Sequence, residues 1–233
     1  MSRRADLGSI VGPEGKARPP LAERLLLLAG WLLAAVGYFG PWIAHGTSAL
    51  TLSGVDMGEF AKFLPSVLDG TLQVVRQCFY LPPLAIVVSV ALLVGSRRLR
   101  YPWPVRAAAV ALALPVSLQI LPPAWSPDSL ITDEFRLQLI MLLLCWLLLA
   151  GFWLWGNLSL RPTGSISAVL SAVALVLCAW QVLIVKPAID LVYGTPPSIG
   201  WGFYVCLCGL LLIAVTSTDM AWRRRLRRGS DSP

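Results

Sequence analysis

Ser165-Ile166-Ser167-Ala168-Val169-Leu170-Ser171-Ala172-Val173-Ala174-Leu175-Val176-Leu177-Cys178-Ala179-Trp180-Gln181-Val182-Leu183-Ile184-Val185 is a run of 21 residues without a charge, with Arg161 before it and Lys186 directly after it. As a helix it rises about 30 Å, the thickness of a bilayer's hydrocarbon core. Its polar residues are three serines and one glutamine, too few to make a solvated face. Five further stretches read in the same way: Leu25–Ile43, Val74–Gly95, Val105–Leu121, Leu137–Trp155 and Trp201–Thr218. The first has an apolar core longer than the roughly 7–15 residues of a signal peptide, with no convincing small-residue cleavage site after it, so it reads as a retained anchor. The fold class that follows is all-α, a polytopic bundle of six transmembrane helices over residues 21–221. It is expected to carry a disordered cytoplasmic tail at 1–20 and a basic cytoplasmic tail at 222–233.

Composition agrees. Of 233 residues 57% are apolar and 13% charged, against roughly 45–50% and about 25% in an average soluble domain. That balance excludes a soluble globule, a disordered chain and a disulfide-stapled secreted module. The net charge of +7 does not mark a nucleic-acid binder, because no polar domain carries the positive charge as a patch. Cys78, Cys145, Cys178, Cys206 and Cys208 all fall in apolar runs and read as small buried hydrophobes. No loop cysteines or histidines have metal-ligand spacing, so neither metal nor cofactor is expected.

Arginine and lysine set the orientation. With the N-terminus inside, 15 of the 19 Lys and Arg residues lie on the inner side, and Lys62, Arg76, Arg136 and Lys186 lie outside. Both termini are then cytoplasmic, in the cytoplasmic (inner) membrane. Arg223, Arg224, Arg225, Arg227 and Arg228 follow the last stretch and suit anionic headgroups, each contributing about 1 kcal/mol. Seven tryptophans, among them Trp42, Trp103, Trp153, Trp201 and Trp222, fall at interface depth and read as headgroup-level anchors.

Side-chain size separates the stretches. Ala107/Ala111, Ala109/Ala113, Gly164/Ala168/Ala172 and Ser167/Ser171 repeat at four residues, a spacing that lets backbones approach in lipid. Leu142–Leu144 and Leu147–Leu149 mark the fourth stretch as lipid-facing. Pro82-Pro83 and Pro115 are expected to free carbonyls and bend their helices.

The long outer loop carries the most informative polar sequence. Ser53-Gly54-Val55-Asp56 fits a capping box, and Phe60, Phe63, Leu64 and Val67 follow at i, i+3, i+4, i+7. A short amphipathic helix is expected there, resting on the outer surface. In the second outer loop Ser126-Pro127 reads as a helix start, and Asp133 is spaced to pair with Arg136. Gln77, Gln119, Gln138 and Gln181 lie towards the outer ends of four stretches. The ligand-binding candidates are Asp56, Glu59, Gln77, Gln119 and Gln181, beneath the first outer loop.

No G-x-S-x-G, H-E-x-x-H or phosphate-loop motif occurs, and no charge sits at mid-bilayer. No catalytic residue is therefore assigned. Helix number, size and the long first outer loop are similar in outline to the membrane substrate-binding subunits of energy-coupling-factor transporters, a likeness of layout that transfers no residue. Three functional readings stay open. The first is a non-enzymatic structural or accessory protein acting through helix contacts with another membrane protein or a second copy of itself. The second is a small-molecule binding or transport subunit, and the third is an outer-face enzyme using His45 and nearby carboxylates. The expected surroundings are the lipid bilayer, with no nucleic acid.

Overall fold

A computed structural model describes residues 21–46, 51–122, 126–194 and 196–229, without side-chain detail at 127, 129 and 223–229. The chain is mostly helical. Among the described residues four helical segments are long and apolar enough to cross a membrane: Leu21–Phe39, Arg76–Val94, Leu160–Tyr193 and Trp201–Trp222. The other two expected spans form helices of 16 and 15 residues, Trp103–Leu118 and Arg136–Ala150. The second of these breaks at Gly151 and resumes as Phe152–Trp155.

The helices are named in chain order: α1 Leu21–Phe39, α2 Gly54–Phe60, α3 Pro65–Leu68, α4 Leu81–Val94, α5 Trp103–Leu118, α6 Pro127–Leu130, α7 Arg136–Ala150, α8 Phe152–Trp155, α9 Leu160–Tyr193 and α10 Trp201–Gly229. α4 is the axis of the bundle. A helix apolar on every side must be surrounded, and α4 packs against α1, α5, α7, α9 and α10, with every residue from Pro82 to Val94 buried. Pro82 and Pro83 occupy its first turn, after a 3₁₀ turn at Arg76–Tyr80. They therefore start a helix where no intrahelical N–H is needed, rather than bending one. Pro115 does lie inside α5.

α1 and α10 touch backbone to backbone. A Cβ added at Gly37 would stand 2.2 Å from the Cys206 nitrogen, and one at Gly209 would stand 2.2 Å from the Ala34 nitrogen. The small residues Gly30, Ala34, Gly37 and Gly40 thus mesh with Gly202, Cys206, Gly209 and Ile213. In lipid, where burial from water does not drive association, such approach maximises dispersion contacts. Of the small pairs singled out in the sequence, Ala109, Ala113, Gly164, Ser167, Ala168 and Ser171 are buried, whereas Ala107, Ala111 and Ala172 face outwards.

A chain of hydroxyls crosses the interior. The Trp31 indole donates to Ser89 Oγ at 2.8 Å, and Ser167 Oγ donates to Ser89 at 2.8 Å. Ser217 lies 3.1 Å from Ser167, and since the Ser167 proton is engaged by Ser89, Ser217 is the donor. One line of bonds so joins α1, α4, α9 and α10. α7 presents Gln138, Leu142, Cys145 and Leu149 inwards and its remaining leucines outwards or to its edges, so two of the six leucines read as lipid-facing, Leu142 and Leu149, belong to the core.

Contacts sort by end. At one end the Tyr101 hydroxyl donates to the Arg24 carbonyl at 3.0 Å, Arg24 donates to the Arg100 carbonyl at 3.2 Å, and Arg97 N–H reaches the Gly156 carbonyl at 3.2 Å. At the other end three short strands pair antiparallel in the order β2-β1-β3: β1 Pro41–Ala44, β2 Leu52–Ser53 and β3 Ser198–Ile199. This small sheet fastens the exit of α1 to the entry of α10, an element the helical periodicity did not announce.

Several expectations need correction. Trp42 is fully buried, donating to the Gly37 carbonyl at 2.9 Å, so it is a core residue and no headgroup anchor. Cys208 is exposed, because it falls on the face of α10 turned away from α1, while the other four cysteines are buried. The amphipathic segment is broken by Pro65: α2 ends at Phe60, a 3₁₀ turn spans Ala61–Phe63, and α3 restarts at Pro65. Its buried stripe is Met57, Gly58, Ala61 and Leu64, with Phe60 and Val67 half-buried and Phe63 exposed. Asp133 makes no ion pair with Arg136 among the described residues, and the neighbouring Glu134 pairs instead with Arg76 and Lys62. α10 continues as backbone through the basic run to Gly229. The expected 1–20 tail and Trp125 lie outside the described residues.

Candidate functional site

The polar residues of the sheet end gather where the loop between α1 and α4 meets the starts of α4 and α7. Ser53 caps α2: its backbone N–H donates to Asp56 Oδ2 at 3.0 Å and its hydroxyl donates to the same oxygen at 2.6 Å. Asp56 is exposed and engaged in this cap. Three residues on, Glu59 accepts from the Tyr80 hydroxyl at 3.1 Å and pairs with Lys62 at 2.6 Å. Gly58 makes this possible, because a Cβ there would stand 2.6 Å from the Tyr80 oxygen.

Glu134 completes the cluster from the other side. It pairs with Arg76 at 2.9 Å and reaches Lys62 at 3.6 Å. The Phe135 ring lies 5.7 Å from the Lys62 ammonium and 5.9 Å from the Arg76 guanidinium, within cation–π range. Two cations and two carboxylates balance, so the cluster is neutral and fully cross-bonded. One turn into α7, Gln138 is buried and its Oε1 has no hydrogen-bond partner.

The five candidate residues therefore do not converge on one point. Glu59 belongs to the cluster, and Gln181 accepts from Val75 N–H at 3.4 Å beside it. Gln119 donates to the Pro115 carbonyl of its own helix at 3.3 Å, Asp56 caps α2, and Gln77 is half-buried. Lys186 and Asp190 form an ion pair on α9. Asp69 accepts from both the hydroxyl and the N–H of Thr71 at 2.7 and 2.9 Å, bonds that hold its carboxyl below the ordinary range.

His45 packs its ring 5.3 Å from Tyr193, and no group of three or more metal-ligating side chains forms among the described residues. The arrangement can hold segments together. Sequence spacing paired Asp133 with Arg136 in this loop and did not join Glu134 to Lys62 and Arg76. Opposite charges at one depth on three segments were the available signal. The basic run at Arg223, Arg224, Arg225, Arg227 and Arg228 lies on the last turns of α10, where side chains are outside the description. No protein-family model, curated protein or solved structure matches the chain.

Proposed function

We propose that the chain is a multi-pass protein of the cytoplasmic membrane, crossing six times with both termini in the cytosol. It acts without catalysis, as an accessory subunit holding a transmembrane helix of another membrane protein against its surface. The observation that carries the accessory reading is that the polar candidates are engaged in holding the fold. Asp56 caps, Glu59 bonds to Tyr80 and Lys62, Gln181 bonds to Val75, and Gln119 bonds within its own helix. A binding subunit needs convergent polar groups left free to meet a ligand.

The crossing number draws support from the sorting of contacts by end, since Arg24, Arg97, Arg100 and Gly156 meet at one end while Lys62, Arg76 and Glu134 meet at the other. α5 at 16 residues is about 24 Å long, a shortfall that local bilayer thinning accommodates at modest cost. α7 with α8 extends from Arg136 to Trp155 across one break.

The docking face is the outward side of α5. Ala107, Ala108, Ala111 and Pro115 are exposed there, flanked by Leu114 and Leu118. Small side chains facing lipid leave room for a partner backbone, in contrast with the leucine-covered α7. The test is purification in mild detergent followed by mass spectrometry of the unaltered chain and of Ala107→Leu/Ala111→Leu. A stoichiometric membrane protein that leaves in the variant, with the chain still monodisperse, is the expected result. A bound metabolite without a protein partner overturns it and favours the binding-subunit reading, for which the unpartnered Gln138 oxygen is the specific support. Self-association alone makes the partner a second copy.

A further inference from the structure

At the end opposite the sheet, α9 and α10 cross closely at Gly164, where a Cβ would stand 3.0 Å from the Ser217 carbonyl oxygen. Beside that crossing lies an open groove of about 490 Å³. Its polar lining is Arg161, Ser165, Thr218 and Trp222; Ala221 lies between the last two on α10, and Val169, one turn past Ser165 on α9, adds an exposed apolar side chain. The spacing explains the alignment: 161/165/169 and 218/222 are i, i+4 series, so each helix turns one stripe to the groove.

The chemistry of the rim is that of an anion site. Arg161 has no carboxylate partner among the described residues, and the Ser165 hydroxyl makes no hydrogen bond there. A guanidinium offers planar paired donors that match two phosphate oxygens, and Ser165, one turn away, supplies a third donor. Thr218 donates its proton to the Ala214 carbonyl at 2.8 Å, so towards the groove its oxygen can only accept. Arginines dominate the surroundings. Arg24, Arg97, Arg98, Arg100 and Arg106 share this end with just Glu23 and Asp219 as described acids, before the Arg223–Arg228 run is counted. Asp219 follows Thr218 by about 100° around α10 and is not in the groove wall.

We propose that this groove binds one anionic phospholipid, its phosphodiester on Arg161 and Ser165 and its upper acyl chains along Val169. The assignment rests on the membrane reading above. Phosphate chemistry fits Arg161 and Ser165, and the exposed apolar side chain of Val169 one turn further along α9 fits a lipid rather than a free ion. Trp222, half exposed at the same level, has the amphipathic ring that headgroup depth favours.

The full chain, reconstituted into nanodiscs and released for native mass spectrometry, tests this with phosphatidylglycerol against phosphatidylcholine of equal chain length. The unaltered protein should retain one phosphatidylglycerol. Arg161→Gln should lower that retention about tenfold, as loss of charge-assisted bonds implies, whereas Arg98→Gln, which removes an exposed arginine outside the groove, should leave it unchanged. Val169→Trp keeps Arg161 but fills the groove, and should also abolish retention, which covers the case of a poorly folding Arg161 variant. Equal retention of both lipids, or equal loss in Arg161→Gln and Arg98→Gln, overturns the site in favour of diffuse attraction. Displacement of the lipid by millimolar inorganic phosphate overturns the lipid assignment in favour of a soluble anion. Failure of the chain to enter nanodiscs at all contradicts the membrane reading itself, a separate outcome.

Discussion

The α1–α10 pair and the α5–α7 pair are made of similarly apolar sequence, yet they hold to the bundle by different means. α1 and α10 meet through Gly30, Ala34, Gly37 and Gly209 with backbone against backbone, and the Trp31–Ser89–Ser167–Ser217 chain runs through the same core. α5 and α7 rest on α4 by one face and leave the other to the surroundings. The difference shows that similar hydrophobicity does not sort the helices, while residue size and hydroxyl placement decide which become core and which rim.

Substitutions that break the close-packed pair should have the largest effect. Gly37→Ala forces a methyl to 2.2 Å from the Cys206 nitrogen, and the helices must separate. A loss of about 3 kcal/mol is expected in reversible SDS unfolding, against near zero for Ala107→Leu on the exposed face of α5. Comparable losses at the two sites would erase the distinction between core and rim helices.

The hydroxyl chain comes next. Ser89→Ala leaves the Trp31 indole and Ser167 without their acceptor, and should cost about 1–2 kcal/mol by the same unfolding assay. Trp31 fluorescence should shift as its indole loses a hydrogen bond. A neutral result would mean that packing alone joins the four helices.

The peripheral latch should matter less. Glu134→Gln removes the pairing with Arg76 and Lys62, but Glu134 is 52% exposed, so about 0.5 kcal/mol is expected and should fade at high salt. Faster hydrogen exchange at the start of α7 is the local readout. A salt-insensitive effect would place the cluster in a drier environment than its exposure indicates.

The smallest effect concerns the turn at Asp69. Its carboxyl is held low by Thr71 and is fully exposed. The contribution of this turn is present above the ordinary carboxylate range and is lost as pH falls through the depressed value. The Thr71 amide should therefore keep its protection until the pH is below that ordinary range, and Asp69→Asn should flatten the profile.

Much of this architecture was legible because its causes are local. Apolar run length foretold the helices, whereas leucine density did not tell the exposed Leu143, Leu144 and Leu147 of α7 from the buried Leu142 and Leu149. Ser53 and Asp56 foretold their cap. What escaped depended on partners distant in sequence. Gly30, Gly37 and Gly209 are unremarkable until α1 lies on α10, whereas the equally spaced alanines of α5 were noticed and half of them face outwards. Trp42 resembled an interface anchor by depth alone, yet Gly54 opens the space that buries it, a Cβ there standing 2.7 Å from its ring. The same holds for the cluster at the sheet end: Glu59 stood out as a ligand-binding candidate, but its Tyr80 partner required the loop to fold over Gly58.

The most direct test is cysteine mapping of sidedness. Asp69→Cys, Arg98→Cys and Asp133→Cys, each in the Cys208→Ser background, would be labelled in sealed vesicles with a membrane-impermeant maleimide. Six crossings predict that Cys at 133 labels from the same side as Cys at 69, opposite to 98. Labelling of 133 together with 98 would mean that α5 and α7 do not cross, and would contradict the account.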